Sequence, residues 1–326
     1  MWALGLFLLG LAALIVGAEV LTRGASRLAT SLGISPMVIG LTIVSLGTSA
    51  PELAVGITAS RNGQGGLAIG NIAGTNVMNL LFILCLSALI RPLPLQLQIF
   101  KLELPVMVVA ALMMLVLGWD GVLSPLDGLA MLIVALIYSG ALIAMTRRAS
   151  RAAKKEYREE YGPETLPPIQ FTWKGRLWDI VLLFGGISMT VIGADWLVQG
   201  AVQLATAFGV SDTIIGLTIV AFGTSAPELV TTIVSTIKND RDVAVGNLLG
   251  SSIYNILVIL AITCLVTPSG LLVADDLLRI DIPLMTAVAV GAIPVFLTGR
   301  RISRWEGGLG LAIYAGYMSW LIAMRA

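Results

Sequence analysis

The sequence predicts an all-α polytopic membrane protein with about ten transmembrane helices, and three observations carry this prediction. Of the 326 residues, 57% are apolar and only 12% are charged, about half the charged fraction of a soluble domain. The mean hydropathy is +0.94, and the apolar runs are long enough to cross about 30 Å of hydrocarbon as helices. These runs are also continuous, whereas strands of a membrane β-barrel alternate apolar and polar residues.

Ten apolar runs follow one another along the chain, and each has about the length of a membrane-spanning helix. A charged segment with three prolines, 147–176, separates five runs from the other five, and we expect it to be a solvated linker that begins with a short helix. The predicted domains are therefore 1–146, 147–176 and 177–326. The ten runs are 2–22, 36–59, 67–90, 103–119, 125–146, 177–198, 212–236, 243–266, 281–298 and 306–324.

The distribution of Lys and Arg predicts how these helices are oriented. If the N-terminus lies outside, the segments on the inner side contain 17 of the 20 basic residues and those on the outer side contain 3. Segments on the cytoplasmic side of membrane proteins carry such an excess of positive charge. We therefore expect both termini outside the cell membrane and the linker 147–176 in the cytoplasm.

An internal duplication relates the two halves. Residues 17–84 align with 193–260 without a gap, and 32 of the 68 positions are identical. Because each half has an odd number of spans, the second half enters the membrane from the opposite side, which makes the halves inverted five-helix repeats. Secondary transporters are often built from such repeats, with the binding site at the membrane midplane where broken helices meet.

Each repeat places proline and glutamate together within an apolar span, in the shared sequence GTSAPEL. In the first copy, Pro51 lacks an N–H group, so the Gly47 carbonyl loses its helical partner. Thr48, Ser49 and Glu52 then place two hydroxyls and a carboxylate on one helix face. Such hard oxygen ligands suit Ca²⁺ and Na⁺, and an intramembrane carboxylate is by default a candidate functional residue. The second copy has Thr224, Ser225, Pro227 and Glu228 at the equivalent positions.

The next span of each repeat adds a polar stripe. Asn71, Thr75 and Asn79 recur every four residues and so share one face of a helix. We expect Asn79 to contribute to the site, whereas for the neighbouring Asn76 an interhelical hydrogen bond and an ion contact are equally plausible. The equivalent residues of the second copy are Asn247, Ser251, Asn255 and Ser252.

Two carboxylates carry a charge of −2, which neutralises one Ca²⁺. When that cation is absent they need Na⁺ ions or protons instead, because bare carboxylates are costly within a membrane. Ions that share ligands must compete, and this competition is the physical basis of exchange.

On these residues the chain resembles the cation/Ca²⁺ exchanger superfamily, and specifically its prokaryotic Na⁺/Ca²⁺ exchangers. The resemblance covers nearly the whole chain and rests on two motifs, GTSxPE and GN(x)₂G[ST](x)₃N, each present twice in the same order. It implies that the ions bind the side chains of Thr48, Ser49, Glu52, Thr75, Asn79, Thr224, Ser225, Glu228, Ser251 and Asn255 and the backbone carbonyls of Ser45 and Ala221.

The resemblance also implies an antiporter that exchanges about three Na⁺ for one Ca²⁺ by alternating access, with no cofactor and no nucleic-acid partner. Some members of the superfamily have Asp where this chain has Asn255, and the missing carboxylate argues against K⁺ co-transport. Since one chain supplies both halves of the site, we expect it to function alone.

Three other functions compete with Na⁺/Ca²⁺ exchange. Exchange of H⁺ for Ca²⁺ or another divalent cation stays open, because a buried carboxylate can carry a proton. A cation channel fits less well, since channels usually build filters from rings of residues contributed by symmetric subunits. A membrane enzyme is disfavoured because the sequence offers no nucleophile and no cluster of metal ligands.

Overall fold

The computed structural model describes residues 2–161, 173–208 and 221–325, and nearly all of them are helical. Four two-residue strands connect helix ends: β1 Leu93–Pro94, β2 Val122–Leu123, β3 Leu271–Leu272 and β4 Arg301–Ile302. The helical segments are α1 Trp2–Leu32, α2 Pro36–Thr48, α3 Ala50–Arg61, α4 Gly65–Ile90, α5 Ile99–Asp120, α6 Pro125–Tyr161, α7 Trp173–Ala207, α8 Ala221–Thr224, α9 Ala226–Ile237, α10 Arg241–Leu265, α11 Leu277–Leu297 and α12 Arg304–Arg325.

The helices have the length and composition of a polytopic membrane protein. Within the described ranges, seven are long and apolar enough to cross a membrane, and the bent pair α2–α3 makes an eighth candidate span. The apolar helix α9 is shorter, and the first nine residues of the predicted run 212–236 lie outside the described residues. The ten-helix count therefore remains a prediction.

Three of the predicted boundaries differ from the helices found. Helix α7 continues to Ala207, nine residues beyond the predicted run 177–198. Helix α1 continues to Leu32, ten residues beyond the predicted run 2–22, because its second half still buries small residues such as Ala25 and Ala29. Helix α6 runs on to Tyr161 and so occupies the first part of the predicted linker. Residues 162–172 of that linker lie outside the described part of the chain.

Helices α1 and α7 pack against each other at backbone distance. A Cβ atom added at Gly193 would lie 2.6 Å from the Leu14 backbone nitrogen, and one added at Gly17 would lie 2.8 Å from the Thr190 nitrogen. Small residues at helix contacts allow such close approach in membranes, where van der Waals packing holds helices together. The α1–α7 pair is thus a tightly packed unit beside the other helices.

The four strands form two separate pairs, one at each end of the helix bundle. Strand β1 pairs with β4, and strand β2 pairs with β3, both antiparallel. We call these the β1–β4 end and the β2–β3 end. Each pair joins a strand from the first half of the sequence to one from the second half, so backbone hydrogen bonds connect the halves at both ends.

The helix that carries Glu52 is broken where the sequence predicts it. Helices α2 and α3 form a bent pair with an angle of 40°, and Ser49 between them has φ −83° and ψ 11°, outside the helical range. Ser225, between α8 and α9, has nearly the same backbone angles, φ −89° and ψ 6°. The breaks occur two residues before Pro51 and Pro227 and place both serines beside glutamate.

Candidate functional site

The two glutamates of the repeated motif are fully buried in the centre of the helix bundle. Glu52 and Glu228 each have an exposed fraction of 0%, and they lie close enough together for their charges to repel. Ser49 donates a hydrogen bond to Glu228 Oε1 across 3.1 Å, which joins the two copies of the motif. The other Glu228 oxygen and both Glu52 oxygens have no hydrogen-bonding partner, although the Ser225 hydroxyl lies near Glu52.

On the α2 side of the glutamates, helices α2 and α10 are in direct contact. Thr48 donates to Asn247 Oδ1 across 3.2 Å, and the Ser251 hydroxyl lies 3.3 Å from the Ser49 hydroxyl. Ser251 also reaches the Ser45 carbonyl oxygen across 3.5 Å. A Cβ added at Gly250 would lie 2.5 Å from the Leu41 carbonyl oxygen, so α10 and the broken helix α2 of the other repeat approach each other at backbone distance.

On the α8 side, the equivalent residues border a cavity. Thr75 lies 3.4 Å from Ser225 through their hydroxyl oxygens, which repeats the contact between α10 and α2. Asn71 and Thr224, however, line a cavity of about 390 Å³ between α4, α8, α11 and α12, whereas their counterparts Asn247 and Thr48 are hydrogen-bonded to each other. The site is therefore bordered by open space on one side and by packed helices on the other.

The two asparagines four residues beyond the hydroxyl positions are buried without partners. Asn79 and Asn255 are both 0% exposed, and neither amide oxygen nor amide nitrogen of either side chain is hydrogen-bonded. Each lies in a π-helical turn, Met78–Ile83 or Asn255–Leu260, a local geometry that often accompanies functional sites. Since a buried amide without a partner is costly, these groups are suited to hold an ion or water.

Asn76 has a structural contact. Its amide nitrogen donates to the Ser252 carbonyl oxygen across 3.2 Å, which links α4 to α10. Of the two roles left open for Asn76, the interhelical hydrogen bond is the one found. Ala221 begins helix α8, and its carbonyl as an ion ligand remains a prediction.

No basic residue is paired with the glutamates within the described ranges, where ion pairs are formed by Glu19, Asp179 and Asp275 instead. The described residues also contain no cluster of three or more His, Cys, Asp or Glu side chains. Two carboxylates, surrounded by hydroxyl and amide oxygens, thus form the centre of the site. Such a set of neutral oxygens and two negative charges suits a hard cation.

The sequence reasoning missed two further buried carboxylates, Glu103 and Asp281. Both lie in the first turns of their helices, α5 and α11, and have exposed fractions of 0% and 7%. A signal for them exists: the sequence KLELP at 101–105 matches RIDIP at 279–283. It is visible only if the offset between the repeats grows from 176 to 178 after the gapless part of the alignment.

The fold and the site together define a polytopic membrane protein with a buried pair of carboxylates, surrounded by hydroxyl and amide groups, between two similar helix clusters. Comparison with known proteins gives this class a family. The family model described as "Sodium/calcium exchanger protein" matches residues 2–144 and 178–323, which is nearly the whole chain. The chain belongs to the sodium/calcium exchanger protein family, and it is a cation/Ca²⁺ antiporter of the membrane and not an enzyme.

Individual relatives cover the chain almost completely. The inner membrane protein YrbG of Escherichia coli is 34% identical over 98% of this chain and 95% of its own length. The sodium/calcium exchanger MaX1 of Methanosarcina acetivorans is 30% identical over 96% of both chains. Among solved structures, the sodium-calcium exchanger NCX_Mj soaked with Na⁺ and Ca²⁺ matches with a TM-score of 0.82 and 29% identity over 98% of both chains.

Proposed function

We propose that this chain exchanges about three Na⁺ for one Ca²⁺ across the cell membrane by alternating access, as a single chain. The observation that carries the proposal is the buried pair Glu52 and Glu228, three of whose four oxygens have no hydrogen-bonding partner. Similarity to MaX1 and NCX_Mj, both named as exchangers of sodium and calcium, supports Na⁺ as the coupling ion.

The charge of the site explains why the two cations exclude each other. One Ca²⁺ balances both carboxylates, and the surrounding oxygens of Ser49, Ser251 and Thr75 can replace part of its hydration shell. When Ca²⁺ leaves, Na⁺ ions must occupy the same oxygens, because two unbalanced carboxylates in a membrane interior are strongly unfavourable. We propose that Asn79, Asn255 and the carbonyls of Ser45 and Ala221 complete the Na⁺ sites.

The proposed architecture has two inverted five-helix repeats, 1–146 and 177–326, joined by a cytoplasmic linker, with both termini outside. The two strand pairs at opposite ends support it, because each is the counterpart of the other in the repeat. The starts of α6 and α12 support it too. The Ser124 backbone N–H donates to Asp127 Oδ2 across 2.8 Å, and the Ser303 N–H donates in the same way to Glu306 Oε2 across 2.7 Å.

Uptake of ⁴⁵Ca²⁺ into proteoliposomes tests the proposed function. Vesicles loaded with Na⁺ and diluted into Na⁺-free buffer should accumulate Ca²⁺, even when an ionophore collapses the pH gradient. Glu52→Gln and Glu228→Gln should each reduce this uptake to background, since removing one carboxylate leaves Ca²⁺ with a single balancing charge.

The matched control is Asp195→Asn, which neutralises an exposed carboxylate of α7 that is hydrogen-bonded to Gln199. This variant should retain uptake. Full uptake by both glutamate variants would refute the assignment of the site. Uptake that follows an imposed pH gradient and ignores the Na⁺ gradient would instead establish H⁺/Ca²⁺ exchange.

A further inference from the structure

A second pair of carboxylates obeys the same repeat relation as the two glutamates of the site. Glu103 and Asp281 occupy equivalent places in KLELP, 101–105, and RIDIP, 279–283. Each is the last residue of a π-helical turn, Ile99–Glu103 or Leu277–Asp281, and each turn follows one of the short strands. Because β1 and β3 lie at opposite ends of the bundle, the two acids also lie toward opposite ends.

Asp281 borders the cavity that reaches the site. The cavity at the β2–β3 end is lined by Asp281 of α11 together with Thr75 and Thr224, two residues of the predicted site. Tyr317 of α12 donates a hydrogen bond to Asp281 Oδ1 across 3.0 Å and also lines the cavity. A carboxylate in this position lies beside the path of any cation that moves through the cavity toward Glu52.

Glu103 is enclosed at the opposite end. Gln98 donates to its Oε1 atom across 2.8 Å, but its Oε2 atom is buried without a partner. Tyr138, which matches Tyr317 in the repeat at an offset of 179, interacts electrostatically with Glu103, and its hydroxyl is likewise buried without a partner. Asp281 and Tyr317 are hydrogen-bonded at the β2–β3 end. Their counterparts Glu103 and Tyr138 at the β1–β4 end are not hydrogen-bonded to each other.

A buried carboxylate oxygen without a partner is energetically costly. We therefore expect another conformation of the protein in which this oxygen of Glu103 has a ligand. In an inverted-repeat transporter, the state that opens toward the β1–β4 end exchanges the environments of the two repeats. Glu103 would then border the open cavity as Asp281 does here, and Asp281 would be enclosed.

We propose that Asp281 and Glu103 are cation-binding residues of the two access pathways, where each holds a transported cation on its way between solution and the central glutamates. Asp281 serves the pathway at the β2–β3 end, and Glu103 serves the pathway at the β1–β4 end. This inference rests on the proposed function, and it adds two residues outside the central site.

The test measures the apparent KM for Ca²⁺ separately at the two membrane faces, in right-side-out and everted vesicles. Exchange of ⁴⁵Ca²⁺ against unlabelled Ca²⁺ is the readout because it needs no coupling ion, so an error in the assignment of Na⁺ does not affect it. Asp281→Asn should raise KM roughly ten-fold at one face, as expected when a charge that concentrates cations is lost from a cleft. Glu103→Gln should do so at the other face.

The matched control is Asp276→Asn, an equal loss of charge at an exposed residue five positions before Asp281, which should leave both KM values at the wild-type level. Tyr317→Phe keeps the carboxylate but removes its hydrogen bond, and it should produce a smaller change at the same face as Asp281→Asn. This second variant keeps the test decisive if Asp281→Asn does not fold. Equal changes at both faces, or no change at either, would overturn the proposal, whereas loss of exchange in Glu52→Gln tests the central site alone.

Discussion

The two copies of GTSAPEL differ in their surroundings far more than in their sequence. Around the first copy, Thr48 is bonded to Asn247 and helices α2 and α10 touch through backbone atoms. Around the second copy, Thr224 and Asn71 occupy the same repeat positions and line a cavity of about 390 Å³. The polar groups are therefore repeated in both copies, while the surroundings of Thr48 and Thr224 differ within the described part of the chain.

This difference teaches that the same set of polar groups can lie in two surroundings, one packed against a neighbouring helix and one beside a cavity. The hydroxyl, amide and carboxylate groups needed for binding are present in both copies. Two packings related by the repeat are what alternating access requires.

The largest effect is expected from thiol labelling, which tests the difference directly. In a background without Cys85 and Cys264, which are both buried, Thr224→Cys should react with an impermeant thiol reagent added at one face. Thr48→Cys should be protected from the same reagent at that face, because Thr48 is 0% exposed. Mass spectrometry measures the labelled fraction of each variant. Equal labelling of the two variants would contradict the difference in their surroundings.

A smaller effect is expected from the serines, of which Ser49 donates to Glu228 across 3.1 Å whereas Ser225 lies near Glu52. Ser49→Ala removes the donor to Glu228 Oε1, and loss of a hydrogen bond to a charged group costs about 2 kcal/mol, or roughly 30-fold in affinity. Ser225→Ala, the matched change in the other copy, should weaken Ca²⁺ binding less. Apparent KM values from Ca²⁺ uptake check this order, and a reversed order would contradict it.

The smallest effect is expected from the asparagines that differ in their partners. Asn247→Ala removes the bond to Thr48, worth about 1 kcal/mol, and so should shift the balance between the two access states by roughly five-fold. Asn71→Ala changes the equivalent asparagine, which lines the cavity, and should shift this balance less. Labelling rates of Thr224→Cys in each background provide the measurement. A shift of the same size and direction in both backgrounds would show that the Thr48–Asn247 bond does not hold the closed side.

Much of the fold could be predicted because long apolar runs indicate membrane helices. Proline and glutamate are rare in such runs, so the broken helices could be predicted too. The break beside Glu52 and the family were predicted from the sequence and are confirmed. The ligand set remains a prediction. The bond from Ser49 to Glu228 could not be foreseen, since the two copies are nearly identical in sequence and only tertiary packing distinguishes them. The repeat relation between Glu103 and Asp281 lies outside the gapless alignment, because the loops before these two residues differ in length.

The two strand pairs have a mechanical consequence. Since β1 pairs with β4 and β2 with β3, the two halves are hydrogen-bonded at both ends of the helix bundle, and separating them as two rigid units would break these backbone hydrogen bonds. Helices α1 and α7 contain none of these strands and contact each other along their length through glycine. A movement of α1 and α7 together along the other helices would leave both strand pairs intact.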